Sequence, residues 1–259
     1  MSDFKTSYRP SRKSREELLE LTKQQVLKDV DHQNSRPGNL NKSDGYDCQK
    51  CLNRGYVIQL EPDEISTRAV ACECMKVREK IHNANRSGLG DLIKKRWNDY
   101  RTDAPWQLQI KQAAKDFVDN PSGWLVVCGQ PGSGKTLICG IVSAYLLGDG
   151  KIVELKSWPE LVREANTDWF REKNQLERYK SVEVLFLDDF LKQSIDTRSL
   201  QIAYEILNYR YNYNKLTIIS GELTMSELWK IDEALASRIK ERSGNHLMDV
   251  GRNQERNLR

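Results

Sequence analysis

Gly129-Gln130-Pro131-Gly132-Ser133-Gly134-Lys135-Thr136 is the stretch that decides the fold. It satisfies G-x-x-x-x-G-K-[ST] at every fixed position, the pattern of a loop whose glycines let successive backbone N–H groups converge on phosphate oxygens. In such a loop Lys135 reaches the β- and γ-phosphates and the Thr136 hydroxyl binds Mg²⁺. The flanks agree. Trp124, Leu125, Val126, Val127 and Cys128 form an apolar run leading in, and residues 137–147 read as a helix leading out. Strand, loop and helix are the context this pattern requires. They predict a nucleoside triphosphate site at residues 129–136.

Working outward, Val184-Leu185-Phe186-Leu187-Asp188-Asp189 reads as a buried strand that delivers two carboxylates to its C-terminal edge, where open α/β sheets bind ligands. Asp188 is placed to hold Mg²⁺ through water, and Asp189 to polarise the attacking water. Phosphoryl transfer needs mainly positioning and charge neutralisation, so these few groups suffice. Further strands are expected at 151–155, 182–187, 216–219 and 246–250, with helices between them. Trp106, Ile110, Ala114 and Phe117 mark a helix entering the region, and Ser157 and Glu160 are expected to cap another, with Pro159 in its first turn. The alternation implies an α/β P-loop fold with a mainly parallel sheet covered by helices on both faces.

Upstream lies a different chemistry. Cys48-x-x-Cys51, a hairpin over 55–60 and 68–71, and Cys72-x-Cys74 would bring four thiolates to the ends of two short strands. That set suits tetrahedral Zn²⁺ with no open position, a structural rather than a catalytic metal. Reduced or redox-active thiols are the other reading. Cys128 and Cys139 are expected to take no part. Ahead of the module, Ser14 and Glu17 form a capping box, and Leu19, Val26 and Val30 fall on one helical stripe with Leu27 beside it. Such a stripe must pack on its own module or on a partner. Residues 34–47, with Pro37, Gly38 and Gly45, read as a linker, and residues 1–13 as a mobile basic segment. The expected domains are a helical arm with linker (1–47), a cysteine module with connector (48–96) and an ATPase domain (97–259).

Composition narrows the class. The 259 residues are 38% hydrophobic and 30% charged, with no run of eighteen apolar residues and no signal-type segment at the N-terminus. A cytoplasmic protein without a membrane partner is expected, whose six cysteines are thiols or metal ligands. Net charge is only +4, but residues 75–101 carry eight Lys/Arg against three acids and residues 238–259 carry six against three. Both stretches could face phosphates or be ordinary solvated surface.

The ordered series of cysteine module, GQPGSGKT, VLFLDDF, TIISGELTMSEL and DEALASRI resembles the bacterial and phage helicase loaders of the DnaC/DnaI type, which are AAA+ ATPases. The resemblance runs from about Cys48 to the C-terminus. It implies that Glu222 stands at the sensor-1 position, where many AAA+ proteins have Asn. It matches Arg238 to the arginine finger that reaches a neighbouring subunit's nucleotide. Sensor 2 would be Arg256, with Arg252 and Arg259 as alternatives. Asp189 replaces the glutamate common in the superfamily and sits one methylene further from the water, which implies slow hydrolysis. The partners implied are a hexameric replicative DNA helicase, engaged by the N-terminal region, and single-stranded DNA, with self-assembly through the ATPase domain. ATP, Mg²⁺ and Zn²⁺ are the implied cofactors. A transposition-helper ATPase shares the domain but ordinarily lacks the cysteine module. A zinc-containing adaptor that binds nucleotide without turnover is a third reading.

Overall fold

The computed structural model describes residues 14–165, 169–192 and 195–258, with side chains throughout except those of 169–173. The basic segment 1–13 and Arg259 therefore lie outside the described residues. The chain divides into two compact units after Ile81.

The first unit opens with helix α1 (Arg15–Ser35) on the expected capping box. The Glu17 N–H donates to Ser14 Oγ at 3.1 Å and the Ser14 N–H to Glu17 Oε2 at 2.9 Å. A single turn of helix α2 (Asn41–Asp44) follows, then an antiparallel hairpin of β1 (Tyr56–Leu60) and β2 (Thr67–Ala71), with Tyr56 opposite Ala71. Helix α3 (Cys74–Arg86) starts at the last cysteine of the module. The question of what the α1 stripe packs against has a definite answer here: Val30 is buried and Val26 half-buried. The Asn34 amide pairs with the Ile58 backbone in both directions at 2.9 Å, as a neighbouring strand would. Leu19 and Leu27, expected on or beside that stripe, instead stay exposed at 46% and 49%, as do Leu18 and Leu21.

Residues 34–47 are not a free linker. The Gly38 N–H donates to Leu52 O at 2.6 Å and the Leu40 N–H to Asn53 O at 3.2 Å. The segment thus satisfies its backbone on the cysteine turn rather than in water.

The second unit places helix α4 (Pro105–Asp119) before β3 (Trp124–Cys128), α5 (Lys135–Gly148) and β4 (Val153–Ser157). Helices α6 (Trp158–Ala165) and α7 (Trp169–Ser181) lead to β5 (Val184–Phe190), α8 (Thr197–Asn212) and β6 (Leu216–Gly221). Helices α9 (Met225–Ile231) and α10 (Glu233–Ser243) precede β7 (Leu247–Asp249). The strands form one sheet in the order β4-β5-β6-β3-β7, and every neighbouring pair is parallel.

Period-two alternation of the central strands divides the core. Trp124, Val126, Leu185 and Leu187 point to one face, covered by Leu161, Ile202, Ile206, Leu235 and Ile239. Leu125, Val127, Val184 and Phe186 point to the other, covered by Ile110, Phe117, Ile138 and Ile141. Helices on both faces of a five-stranded parallel sheet are the P-loop fold that the alternation implied.

Two local expectations shift. β4 begins at Val153, two residues late, and β5 extends through both aspartates to Phe190. Ser157, expected to cap a helix, is the last residue of β4 and stands immediately before α6, in register with Asp188. The side chain of Glu160, expected as its partner, pairs with Lys156 at 3.1 Å. Sequence reading also missed Arg210, a fully buried arginine. Its guanidinium donates to Thr217 Oγ1 at 3.0 Å, to the carbonyls of Tyr179, Lys180 and Val182 at 2.9–3.0 Å, and to Leu216 O.

Candidate nucleotide site and cysteine centre

The loop of residues 129–134 leaves β3 at the C-terminal edge of the sheet and turns directly into α5. Two of its glycines are there for physical reasons. Gly129 has φ +103°, and a Cβ there would meet the Gly251 N at 2.9 Å. Gly134, the residue before α5, has φ +84°, and its Cβ would press on the Tyr100 ring at 3.1 Å. A side chain at either position would distort the loop. Ser133 Oγ braces it from within by donating to Gln130 O at 2.8 Å.

Lys135 is buried, 7% exposed. Its ammonium donates to Gly129 O at 3.1 Å and Gln130 O at 2.7 Å, and burial pushes its pKa below the ordinary lysine value. A phosphate would offer that ammonium a charged and therefore stronger acceptor than two peptide carbonyls.

One residue on, Thr136 Oγ1 donates to Asp188 Oδ1 at 2.8 Å, and Ser220 Oγ from the adjacent strand β6 donates to the same oxygen. Hydroxyl and carboxylate oxygens converging beside a phosphate loop are a donor set that fits Mg²⁺. Ser220 was not anticipated, although a serine ending the apolar run of β6 was a visible signal.

Asp189 departs from regular strand geometry. It has φ +54° and Leu191 has φ +55°, and the β5–β6 register breaks between Leu187 and Phe190. The Lys192 N–H closes the turn on Asp189 O at 3.0 Å. The Lys192 ammonium then stands 3.1 Å from Asp189 Oδ2 and 3.1 Å from Glu222 Oε1. Its hydrogen bond to Glu222, and next the one to Asp189, hold its pKa above the usual value against some desolvation. Lys192 therefore joins the two acids named from sequence, and it was missed. Its only sequence signal was a cation three residues beyond Asp189.

The arginines go to different places. The Arg238 guanidinium, on α10, lies 4.9 Å from the centre of the Tyr204 ring and 5.8 Å from that of Tyr211. It donates to Tyr204 Oη at 3.1 Å and Ala234 O at 2.9 Å. On the same helix, Glu241 accepts from Tyr211 Oη at 2.9 Å. Arg252 pairs with Glu227 at 2.9 Å. Arg256 donates to Val250 O and lies 5.9 Å from the centre of the Trp106 ring. Its segment touches the phosphate loop. The Leu258 N–H donates to Gly132 O at 3.0 Å and the Asn253 N–H to Gln130 Oε1 at 3.1 Å.

In the first unit Cys48, Cys51, Cys72 and Cys74 are all buried, and their sulfurs lie within 4.8 Å of one another. Cys48 and Cys72 are 3.8 Å apart, Cys51 and Cys74 3.5 Å. Zn–S bonds of ~2.3 Å in a tetrahedron place sulfurs about 3.8 Å apart, so the four-thiol set fits a structural zinc. The outer shell is built as well. The Gly55 N–H donates to Cys51 Sγ at 3.3 Å. Asn53 Oδ1 accepts from the Cys48 N–H and from Arg78, both at 2.8 Å. Arg78 in turn grips Asp44 at 2.6 Å. Cys128 and Cys139 lie in the core of the other unit and outside this cluster. Among the described residues no helix is long and apolar enough to cross a membrane.

Comparison with known proteins agrees with this chemistry. The sequence model of the family described as "IstB-like ATP binding protein" matches residues 81–256. The phage-like element PBSX protein XkdC of Bacillus subtilis (strain 168) is 30% identical over 224 residues, covering 79% of this chain and 82% of that protein. Among solved structures, a crystal structure of DnaI superposes with a TM-score of 0.52 at 22% identity, covering 59% of this chain and 86% of that one. The replication initiator DnaA, bound to AMPPCP and single-stranded DNA, superposes with a TM-score of 0.51 at 20% identity, covering 57% and 47%. These two likenesses show the fold.

Proposed function

Because the chain belongs to the family of IstB-like ATP-binding proteins, we propose that it is an ATP-dependent loader of a replicative DNA helicase onto single-stranded DNA, working in the cytoplasm. Lys135 would contact the β- and γ-phosphates. Thr136 and Asp188 would hold Mg²⁺, which when bound neutralises phosphate charge. Asp189 would orient the attacking water and accept its proton, giving ADP and phosphate. In this reading Arg238 completes a neighbouring subunit's site, and Arg256 reports nucleotide state through its segment's contacts to the phosphate loop.

The observation that favours a loader over a transposition helper is the N-terminal unit. It lies outside the matched ATP-binding region of 81–256, apart from Ile81 itself, and carries its own four-cysteine centre. Its helix α1 pairs Asn34 with the hairpin, buries Val30 and leaves Leu18, Leu19, Leu21 and Leu27 exposed at several points round the helix. Exposed leucines gathered on one helix offer apolar contacts to a protein partner. We assign these contacts to the helicase. The zinc reading of the cysteines and the contact with single-stranded DNA belong to the same proposal. The DnaA relative that shares the fold is described as bound to single-stranded DNA.

The test is co-purification of the full chain with ATP. Recovery of the hexameric helicase supports a loader, and recovery of a transposase supports the helper. ATP binding with neither partner and no turnover supports an adaptor.

A further inference from the structure

An acid at position 222 is a physical problem for a triphosphate site. Glu222 directly follows β6, the strand beside the end of β5 that carries Asp188 and Asp189, and a lone carboxylate there would repel the γ-phosphate. Lys192 answers the problem. Its ammonium lies 3.1 Å from Glu222 Oε1 and 3.1 Å from Asp189 Oδ2. We propose that Lys192 is the residue through which this site distinguishes ATP from ADP, held over the site by Glu222 and Asp189 as its two positioning carboxylates. The proposal rests on the nucleotide reading of residues 129–136 given above.

Three observations support it. The first is backbone. Asp189 and Leu191 both take left-handed φ values, +54° and +55°, in a turn closed by the Lys192 N–H on Asp189 O at 3.0 Å. Non-glycine residues enter that region at a cost, and such strain persists where the surroundings enforce it, often at functional sites. Here it accompanies a Lys192 ammonium that meets both Asp189 and Glu222, the residue that follows the neighbouring strand β6.

The second is valence. An ammonium has three donors, and among the described residues two carboxylates take two of them, which leaves one for a phosphate oxygen. The third is charge. The carboxylates of Asp189 and Glu222 also act on the phosphate-loop Lys135, so the four groups share one electrostatic site. A γ-phosphate would take that remaining donor, with Glu222 and Asp189 keeping the ammonium in place.

The experiment is calorimetric titration of the full chain with Mg²⁺ and either AMPPCP or ADP, which reads binding without turnover. Lys192→Met should weaken AMPPCP by roughly tenfold or more and ADP by less than about twofold. Lys192→Arg should keep most of the preference, and adding Glu222→Gln to Lys192→Met should recover part of the loss by removing an unpaired acid. Lys192 is part-exposed, so the melting temperature should stay near wild type; should Lys192→Met fail to fold, Lys192→Gln carries the same expectation. An unchanged AMPPCP-to-ADP ratio, or an equal loss of both nucleotides, would overturn the assignment while leaving the nucleotide site in place. A wild-type chain that binds neither nucleotide, or a Lys135→Ala variant that binds both normally, would overturn the nucleotide reading and this assignment with it.

Discussion

At the level of single residues the account turns on a few charges. Lys135→Ala should abolish measurable ATP binding, because the remaining loop N–H groups lose their one buried cation; nucleotide titration checks this, and retained affinity would be inconsistent with the site. Arg238 makes a subtler prediction. It lies near the Tyr204 and Tyr211 rings and has no carboxylate among its contacts in the described residues, so its removal should cost little stability. If it acts in trans, Arg238→Ala should bind ATP normally and hydrolyse it ~10³-fold or more slowly. Mixing that variant with Lys135→Ala protein should restore some activity, since an intact site on one chain then meets an intact arginine on another. Undiminished hydrolysis by Arg238→Ala alone would make this residue surface only.

At the level of elements, the cysteine module and the buried arginine carry the sharpest expectations. Purified without added metal, the protein should contain one zinc per chain. Stripping it with a chelator should unfold the hairpin of β1 and β2, because the four cysteines flanking it supply most of the buried apolar side chains among that unit's described residues. A zinc content near zero in stably folded protein would refute the metal. In the other unit, Arg210→Met leaves the carbonyls of Tyr179, Lys180, Val182 and Leu216 without their shared donor. A loss of about 3 kcal/mol is expected, read as a fall in Tm of roughly 6–12 °C.

These cases also show what the sequence made legible. The phosphate loop, β5 with its aspartates and the four cysteines announce themselves because their chemistry needs fixed residue types at fixed spacing. Arg210, Ser220 and Lys192 act through partners that only the strand order brings close, and no spacing rule reports a neighbour on the next strand. The packing of α1 was ambiguous for a related reason: an apolar stripe states that something must be covered, and only the Asn34 pairing with Ile58 says by what.

For the whole molecule, we propose that ATP binding in the second unit is required for the first to engage the helicase. Substituting Leu18 and Leu21 by Gln should leave folding and ATP binding intact, because both are exposed, and should weaken helicase capture. Full capture by that variant would move the contact elsewhere on the chain. The most direct measurement is a pull-down from native cytoplasm with ATP, using the 259-residue chain with its Lys135→Ala variant as control. The account predicts recovery of the hexameric replicative helicase by the wild type and its loss with Lys135→Ala; recovery of a transposase in its place, or equal capture of the helicase by both proteins, would contradict it.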